Sequence, residues 1–240
     1  VLFFFGAVLM RSAGCIVNDI FDKEFDKRVF RTKNRPIASN QISVELATLY
    51  ALTLCFFALL ILLNFNTYTI ILALGSMPLA FTYPLMKRFT YWPQLFLGIT
   101  FNYGLILGWT AIKGQIDIVT IIFYLGAIFW TLGYDTIYGF QDIKDDEIIG
   151  LKSTSIKFKN NPHNFLYLCY SIFLLILFTI GIVMELNKFY YLLFILIFLQ
   201  IYYFQLKRLS IQNSEKCLTI FKSNNFLGLL VFLSLIIGKI

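Results

Sequence analysis

Between Phe165 and Met184 the chain runs for 20 residues, FLYLCYSIFLLILFTIGIVM, without a single charge. About 20 mostly apolar residues in a helix are what it takes to cross the hydrocarbon of a bilayer. Segments of the same character recur at 1–20, 43–63, 67–84, 91–111, 117–139, 164–185, 188–206 and 218–238, with short charged loops between them. The pattern predicts eight transmembrane helices. Only 14% of the residues are charged, against about 25% in a soluble domain, so a water-soluble globule is excluded. A transmembrane barrel is excluded too, because no ten-residue stretch alternates at period two. The chain is expected to be all-α, a polytopic transmembrane helix bundle. No Ser/Gly linker or low-complexity tract divides it, so residues 1–240 read as one domain. It opens on Val1 inside an apolar run, and an upstream part is expected to precede it.

The cations agree with that count of spans. Loops one, three, five and seven carry sixteen of the 20 Lys and Arg residues, six of them (Lys23, Lys27, Arg28, Arg31, Lys33 and Arg35) in loop one. An excess of Lys and Arg marks the cytoplasmic side, so the odd loops are expected in the cytoplasm or its equivalent. The net charge of +7 follows from cations that hug membrane ends, and no nucleic-acid partner is expected. Cys15, Cys55, Cys169 and Cys217 form no C-x-x-C pair and read as small packing residues.

The acids ask for more explanation. Of 13, nine fall in two clusters: Asp19, Asp22, Glu24 and Asp26, then Asp135, Asp142, Asp145, Asp146 and Glu147. Both lie where a span leads into an odd loop, so both are expected on one side of the membrane. In a helix, residues three, four and seven apart share a face. Asp19, Asp22 and Asp26 stand at i, i+3 and i+7, and Asn18, Asp22 and Asp26 at i, i+4 and i+8. If helix continues through the second cluster, Asp135, Tyr138, Asp142 and Asp146 line up at i, i+3, i+7 and i+11. Like charges so close repel, and an Asp within the bilayer costs about 2.5–3.5 kcal/mol even on the lenient scale. A divalent counter-ion relieves both penalties. Mg²⁺ prefers one or two carboxylates plus substrate phosphates to an all-protein cage. The expectation is therefore two carboxylate clusters that hold Mg²⁺, and through it a diphosphate. Asp135 is an intramembrane acid, which is functional by default.

Other signals are weaker. His163, the one histidine, follows Asn160-Asn161-Pro162 and reads as part of a turn. GLKSTS contains Lys-Ser, but Leu151 stands where a phosphate-binding P-loop needs glycine. Pro78 falls inside the third span and is expected to kink it.

NDIFDKEFD, residues 18–26, resembles the N-D-x-x-D-x-x-x-D motif of the UbiA superfamily of intramembrane aromatic prenyltransferases. DIKDD, after YDTIYGFQ, resembles that family's second motif, D-x-x-x-D. The likeness extends to RTKNRPIAS, YPLMKRFTYWPQLFLG, IGLKSTSIKF and FKSNNFLGLLVFLSL, nearly the whole chain in family order, and is strongest to the 4-hydroxybenzoate polyprenyltransferase branch. RPIASN departs from the relatives' usual R-P-L-P-S-G at Ala38 and Asn40, which is expected to alter a turn rather than the chemistry.

The resemblance implies nine transmembrane helices around a central cavity, with this chain supplying eight and beginning inside the second. It implies transfer of a polyprenyl group from polyprenyl diphosphate to the ring of 4-hydroxybenzoate, ortho to the phenol, in ubiquinone biosynthesis. Carried onto this sequence, Asn18, Asp19, Asp22 and Asp26 would bind Mg²⁺ from one side, and Asp142 and Asp146 from the other. Asp135 would orient or deprotonate the phenol. Arg35, Lys87, Arg88 and Lys152 are candidates for direct contact with the diphosphate. Tyr83, Tyr134 and Tyr138 are candidates for the pocket that stabilises the allylic cation. The implied setting is a bacterial inner membrane, or a mitochondrial one, with the acids on the cytosolic side or its equivalent. A family relative with another acceptor (homogentisate, dihydroxynaphthoate or haem) is an alternative. So is a secondary transporter, although transporters place coupling acids near the midplane and here they gather at one face.

Overall fold

The computed structural model describes residues 1–30 and 32–240; Arg31, counted above among the cations of loop one, lies outside the described residues. The described residues form twelve α-helices, a 3₁₀ turn and a π-helical segment, and no strand. Among the described residues, eight helical spans have the length and apolarity to cross a membrane: Leu2–Asp26, Val44–Leu62, Thr67–Phe89, Pro93–Lys113, Ile118–Gly139, Pro162–Val183, Lys188–Leu206 and Ser214–Lys239. The chain is an integral membrane protein. Large apolar side chains such as Leu52, Leu175, Leu192 and Phe232 are more than half exposed. That is costly in water and suits hydrocarbon.

Several spans start where the sequence offers a polar cap. Ser43, Asn66, Asp117, Asn187 and Asn213 each accept a hydrogen bond from a backbone N–H two or three residues on. Such caps satisfy N–H groups that the first helical turn leaves without partners. Three boundaries differ from expectation by four residues or more, and one of them is the end of the third span, which runs on to Phe89 rather than 84. The first helix, α1 (Leu2–Asp26), continues six residues past its apolar run and carries the whole first acidic cluster. The last, α12 (Ser214–Lys239), starts four residues early, at its Asn213 cap.

The described residues fall into two compact units, 1–86 with 103–116, and 87–102 with 117–240. In the first unit, α1 packs along α2 (Val44–Leu62). The buried residues of α2 are all alanine, Ala47, Ala51 and Ala58, and the buried apolar residue of α1 is Ala13. Small residues let helices approach closely in lipid, where packing rather than water exclusion drives association. α3 (Thr67–Thr82) contains Pro78, and Thr82 Oγ1 donates to the Pro78 carbonyl at 2.7 Å. A 3₁₀ turn, Tyr83–Leu85, and the single turn α4 (Met86–Phe89) follow it. Polar bonds fix α3 to α6 (Tyr103–Lys113). Asn66 Nδ2 donates to the Thr110 carbonyl at 2.9 Å, and Thr69 Oγ1 to Thr110 Oγ1 at 3.1 Å.

The second unit has its core around α7 (Ile118–Gly139) and α10 (Pro162–Val183). Leu132, Ile137, Leu166, Cys169, Tyr170 and Phe173 are buried there. Glycines set the spacing: a Cβ on Gly133 would stand 2.9 Å from the Tyr170 ring. α5 (Pro93–Phe101) is fastened to α7 through Asn102, whose Nδ2 donates to Thr131 Oγ1 at 2.7 Å and to the Ala127 carbonyl at 3.2 Å. α8 (Ile143–Ile149) and α9 (Thr154–Lys157) form the connection to α10. α11 (Lys188–Leu199) passes into the π-helical segment Gln200–Leu206 before α12.

Candidate active site: two acidic motifs

In the first unit the site is built on the end of α1. Because helix persists to Asp26, the i, i+3, i+7 spacing holds, and Asp19, Asp22 and Asp26 share a face. Asp22 and Asp26 are 3% and 7% exposed, and a carboxylate so enclosed has to be paired or coordinated. The chain after α1 supplies a cation. Arg28 N–H donates to the Phe25 carbonyl, Thr32 Oγ1 to the Asp26 carbonyl and Arg35 N–H to that of Thr32. These turns fold the loop back over the helix end. One nitrogen of Arg35, Nη1, then donates to Asp19 Oδ1 and to Asp26 Oδ2, both at 2.9 Å.

The same loop explains the departure at RPIASN. Ala38 is buried, and Asn40 has φ of 59°, the left-handed conformation. Glycine enters that region freely, and asparagine is among the few other residues that do so routinely. Asn40 can therefore hold a left-handed turn of the kind that otherwise favours glycine. Tyr83 lies in the 3₁₀ turn, which packs on α1.

In the second unit helix does not continue unbroken through the second cluster. α7 stops at Gly139, and Asp142 stands at the N-cap of α8. Asp135 is thus on α7 and the D-x-x-x-D pair on α8, so the i, i+3, i+7, i+11 alignment does not hold. The break has a physical cause: α9 is pinned against the end of α7. Thr136 Oγ1 and Thr154 Oγ1 share a hydrogen bond of 2.6 Å, and Ser155 Oγ donates to the Thr136 carbonyl at 2.8 Å. A Cβ on Gly139 would collide with Ser155 Oγ. Gln94 Oε1 accepts from the Thr154 N–H at 2.9 Å.

Within α8 the motif is intact. Asp146 N–H donates to the Asp142 carbonyl at 2.9 Å, which sets the two residues one turn apart. The helix ends on Gly150 with φ of 81°; Leu151 N–H bonds the Asp146 carbonyl and Gly150 N–H that of Glu147. This double bond pattern is a Schellman stop. The chain then runs to Lys152, whose N–H donates to the Lys87 carbonyl at 2.8 Å and whose Nζ donates to that of Phe89 at 3.2 Å. Two of the expected basic residues, Lys87 and Lys152, are therefore neighbours, with Arg88 next in sequence.

The aromatic candidates Tyr134 and Tyr138 both meet Phe221 of α12, with ring centroids 5.8 and 4.5 Å away. Trp130 extends this row, edge-on to Tyr134 at 5.8 Å and stacked on Phe173 at 5.2 Å. Trp130 Nε1 donates to Asn224 Oδ1 at 2.8 Å. Gln205 Nε2 donates to the same oxygen at 3.1 Å and to Gln200 Oε1 at 3.0 Å, while Tyr170 OH donates to Gln205 Oε1 at 2.6 Å. Trp130, Phe221, Asn224 and Gln205 were not among the expected site residues. The i, i+4, i+8 spacing of Trp130, Tyr134 and Tyr138 was a signal for the first of them.

Within neither unit do three His, Cys, Asp or Glu side chains among the described residues converge as a metal cage would require. The donor set fits Mg²⁺ in its other mode, one or two carboxylates completed by phosphate oxygens. The pair Asp19–Asp26 already accepts a shared cation, the Arg35 guanidinium.

Over 240 residues the chain is 44% identical to the mitochondrial 4-hydroxybenzoate polyprenyltransferase of Homo sapiens, covering all of this chain and 64% of that protein. It thus spans a little under two thirds of that relative's length. It is 40% identical over 242 residues to the 4-hydroxybenzoate octaprenyltransferase of Francisella tularensis subsp. novicida (strain U112), covering 100% of this chain and 84% of the other. A solved UbiA homologue from Aeropyrum pernix K1 shares the fold with a TM-score of 0.79 at 20% identity, over 100% of this chain and 89% of that one. Another, from Archaeoglobus fulgidus and bound to GPP and Mg²⁺, gives 0.75 at 17% identity, over 100% and 87%. Residues 1–236 match the UbiA prenyltransferase family, a stretch that contains both acidic motifs. The chain belongs to the UbiA prenyltransferase family.

Proposed function

We propose that the protein transfers a polyprenyl group from polyprenyl diphosphate to 4-hydroxybenzoate, ortho to the phenol, and acts in ubiquinone biosynthesis as a single prenyltransferase domain. The observation that carries this reading is 40–44% identity, along the whole of this chain, to proteins named for that reaction. Mg²⁺ as cofactor is supported by its presence with GPP in the Archaeoglobus homologue and by the paired buried carboxylates at the end of α1. The membrane would be a bacterial or mitochondrial inner membrane, with the acids on the cytosolic side or its equivalent, as the charge of the odd loops suggests.

In this proposal Asn18, Asp19, Asp22 and Asp26 of the first motif, and Asp142 and Asp146 of the second, bind Mg²⁺ and through it diphosphate. When bound, the ion supplies Lewis-acid neutralisation of the departing diphosphate. Arg35, Lys87, Arg88 and Lys152 donate to diphosphate oxygens and stabilise the charge that develops there. Tyr83, Tyr134 and Tyr138 turn aromatic faces to the allylic cation, each such contact contributing about 0.5–2 kcal/mol. Asp135 orients the phenol of the acceptor and takes its proton. The apolar surroundings keep water from capturing the cation.

The test is transfer of radiolabelled prenyl from its diphosphate to a panel of aromatic acceptors, over a Mg²⁺ titration, in the full-length protein. 4-Hydroxybenzoate should be the preferred acceptor. Asp22→Ala and Asp142→Ala should each nearly abolish turnover. Normal turnover in either variant would sink the two-motif mechanism. Ion flux in liposomes without diphosphate release would favour a transporter instead.

A further inference from the structure

We propose that Arg35 makes the first acidic motif a poor site for a free divalent cation and a good one for a cation that arrives with diphosphate. The inference rests on the reading of that motif as a metal–diphosphate site. Arg35 Nη1 lies 2.9 Å from Asp19 Oδ1 and 2.9 Å from Asp26 Oδ2. The two oxygens therefore stand no further apart than twice that distance, although their residues are two helical turns apart on α1. A guanidinium in that position is a permanent positive charge, since arginine keeps its proton in proteins. It already draws on the two outer carboxylates of the motif.

A divalent ion that approaches these oxygens meets that charge at contact range. Two effects then oppose one another. Arg35 holds Asp19 and Asp26 side by side, which favours any ligand of both. It also repels a doubly charged ion, and Coulomb energy at such a separation grows with the product of the charges. Ordering two short side chains is a small effect beside repulsion of a divalent ion at contact range in a part-buried setting, so repulsion wins for the free metal. Diphosphate reverses the balance. Nη1 spends both its hydrogens on the carboxylates, and the guanidinium has three more N–H donors in a planar fork suited to phosphate. A metal that brings phosphate oxygens with it turns Arg35 from a competitor into a ligand of the same complex. The loop that carries Arg35 is anchored to the end of α1 at Asp26 and Thr32, so the side chain stays within reach in either arrangement.

The experiment uses Mn²⁺ as the probe, alone and then with inorganic pyrophosphate, and follows binding by electron paramagnetic resonance in the detergent-purified full-length protein. Arg35→Gln should bind Mn²⁺ alone about fivefold or more tighter than the wild type, because the competing charge is gone. Pyrophosphate should tighten Mn²⁺ binding about tenfold in the wild type, less in Arg35→Lys, which keeps the charge but not the fork, and least in Arg35→Gln. Equal or weaker binding of Mn²⁺ alone by Arg35→Gln would overturn the proposal, since it would make Arg35 an organiser of the acids only. If Arg35→Gln does not fold, the wild type carries the test, and Mn²⁺ binding indifferent to pyrophosphate overturns it. Asp22→Ala separates the two levels. Loss of Mn²⁺–pyrophosphate binding there, together with unchanged binding of Mn²⁺ alone in Arg35→Gln, rejects this inference and leaves the metal site standing. Intact binding in Asp22→Ala rejects both.

Discussion

Replacing Gln205 with leucine isolates the buried polar network from the bulk of the core. Gln205 is fully buried and uses its amide in three hydrogen bonds, to Gln200, Asn224 and Tyr170. Leucine is similar in volume, so the packing loss is small. The polar losses are unequal. The Tyr170 hydroxyl, in a residue 1% exposed, loses its acceptor, and an orphaned buried donor costs about 1–3 kcal/mol. Gln200 and Asn224 each lose one donor, worth about 0.6 kcal/mol apiece for bonds within membranes. The expected destabilisation is about 2–4 kcal/mol. It is measurable by titrating the protein from mild detergent into SDS and following helix content. The stronger check is Tyr170→Phe in the Gln205→Leu background, which removes the orphaned hydroxyl and should return about 1–2 kcal/mol. In the wild-type background the same Tyr170→Phe change should destabilise. Trp130 keeps its own bond to Asn224, so its fluorescence should barely move. If Gln205→Leu were as stable as the wild type, or if Tyr170→Phe destabilised it further, the network would not be organised as described.

Two further changes test the backbone that carries the motifs. Gly150→Ala forces a Cβ into the left-handed conformation that ends α8, at about 1–2 kcal/mol. It should raise KM for the prenyl diphosphate more than KM for the aromatic acceptor, because Asp146 sits in that last turn; equal changes in both would refute this. At Asn40, with φ of 59°, valine should lower stability by about 1–2 kcal/mol and glycine should change it by under about 0.5 kcal/mol, read from thermal melts.

Much of this was legible in the sequence. Apolar runs of bilayer length gave the eight spans, and the i, i+3, i+7 spacing of Asp19, Asp22 and Asp26 gave a face that the helix preserves. Other features depend on distant partners. The apolar segment 117–139 announces the end of α7 at Gly139 but not its cause, which is α9 and its bonds to Thr136. Arg35 was one basic residue among six in its loop, and its bonds to Asp19 and Asp26 depend on how the loop folds back, which no spacing encodes. Gln205 and Asn224 are polar residues within otherwise apolar spans, and only the folded arrangement makes them partners.

The π-helical turn at Gln200–Leu206 amounts to one surplus residue absorbed without breaking the span. An α-helix advances about 100° per residue. Deleting a single residue there would restore the ordinary pitch but rotate everything beyond it, and the inward-facing amide at 205 and its neighbour Leu206 would swing toward lipid. The insertion is therefore tied to the identity of the side chains after it: length and sequence in this stretch cannot vary independently.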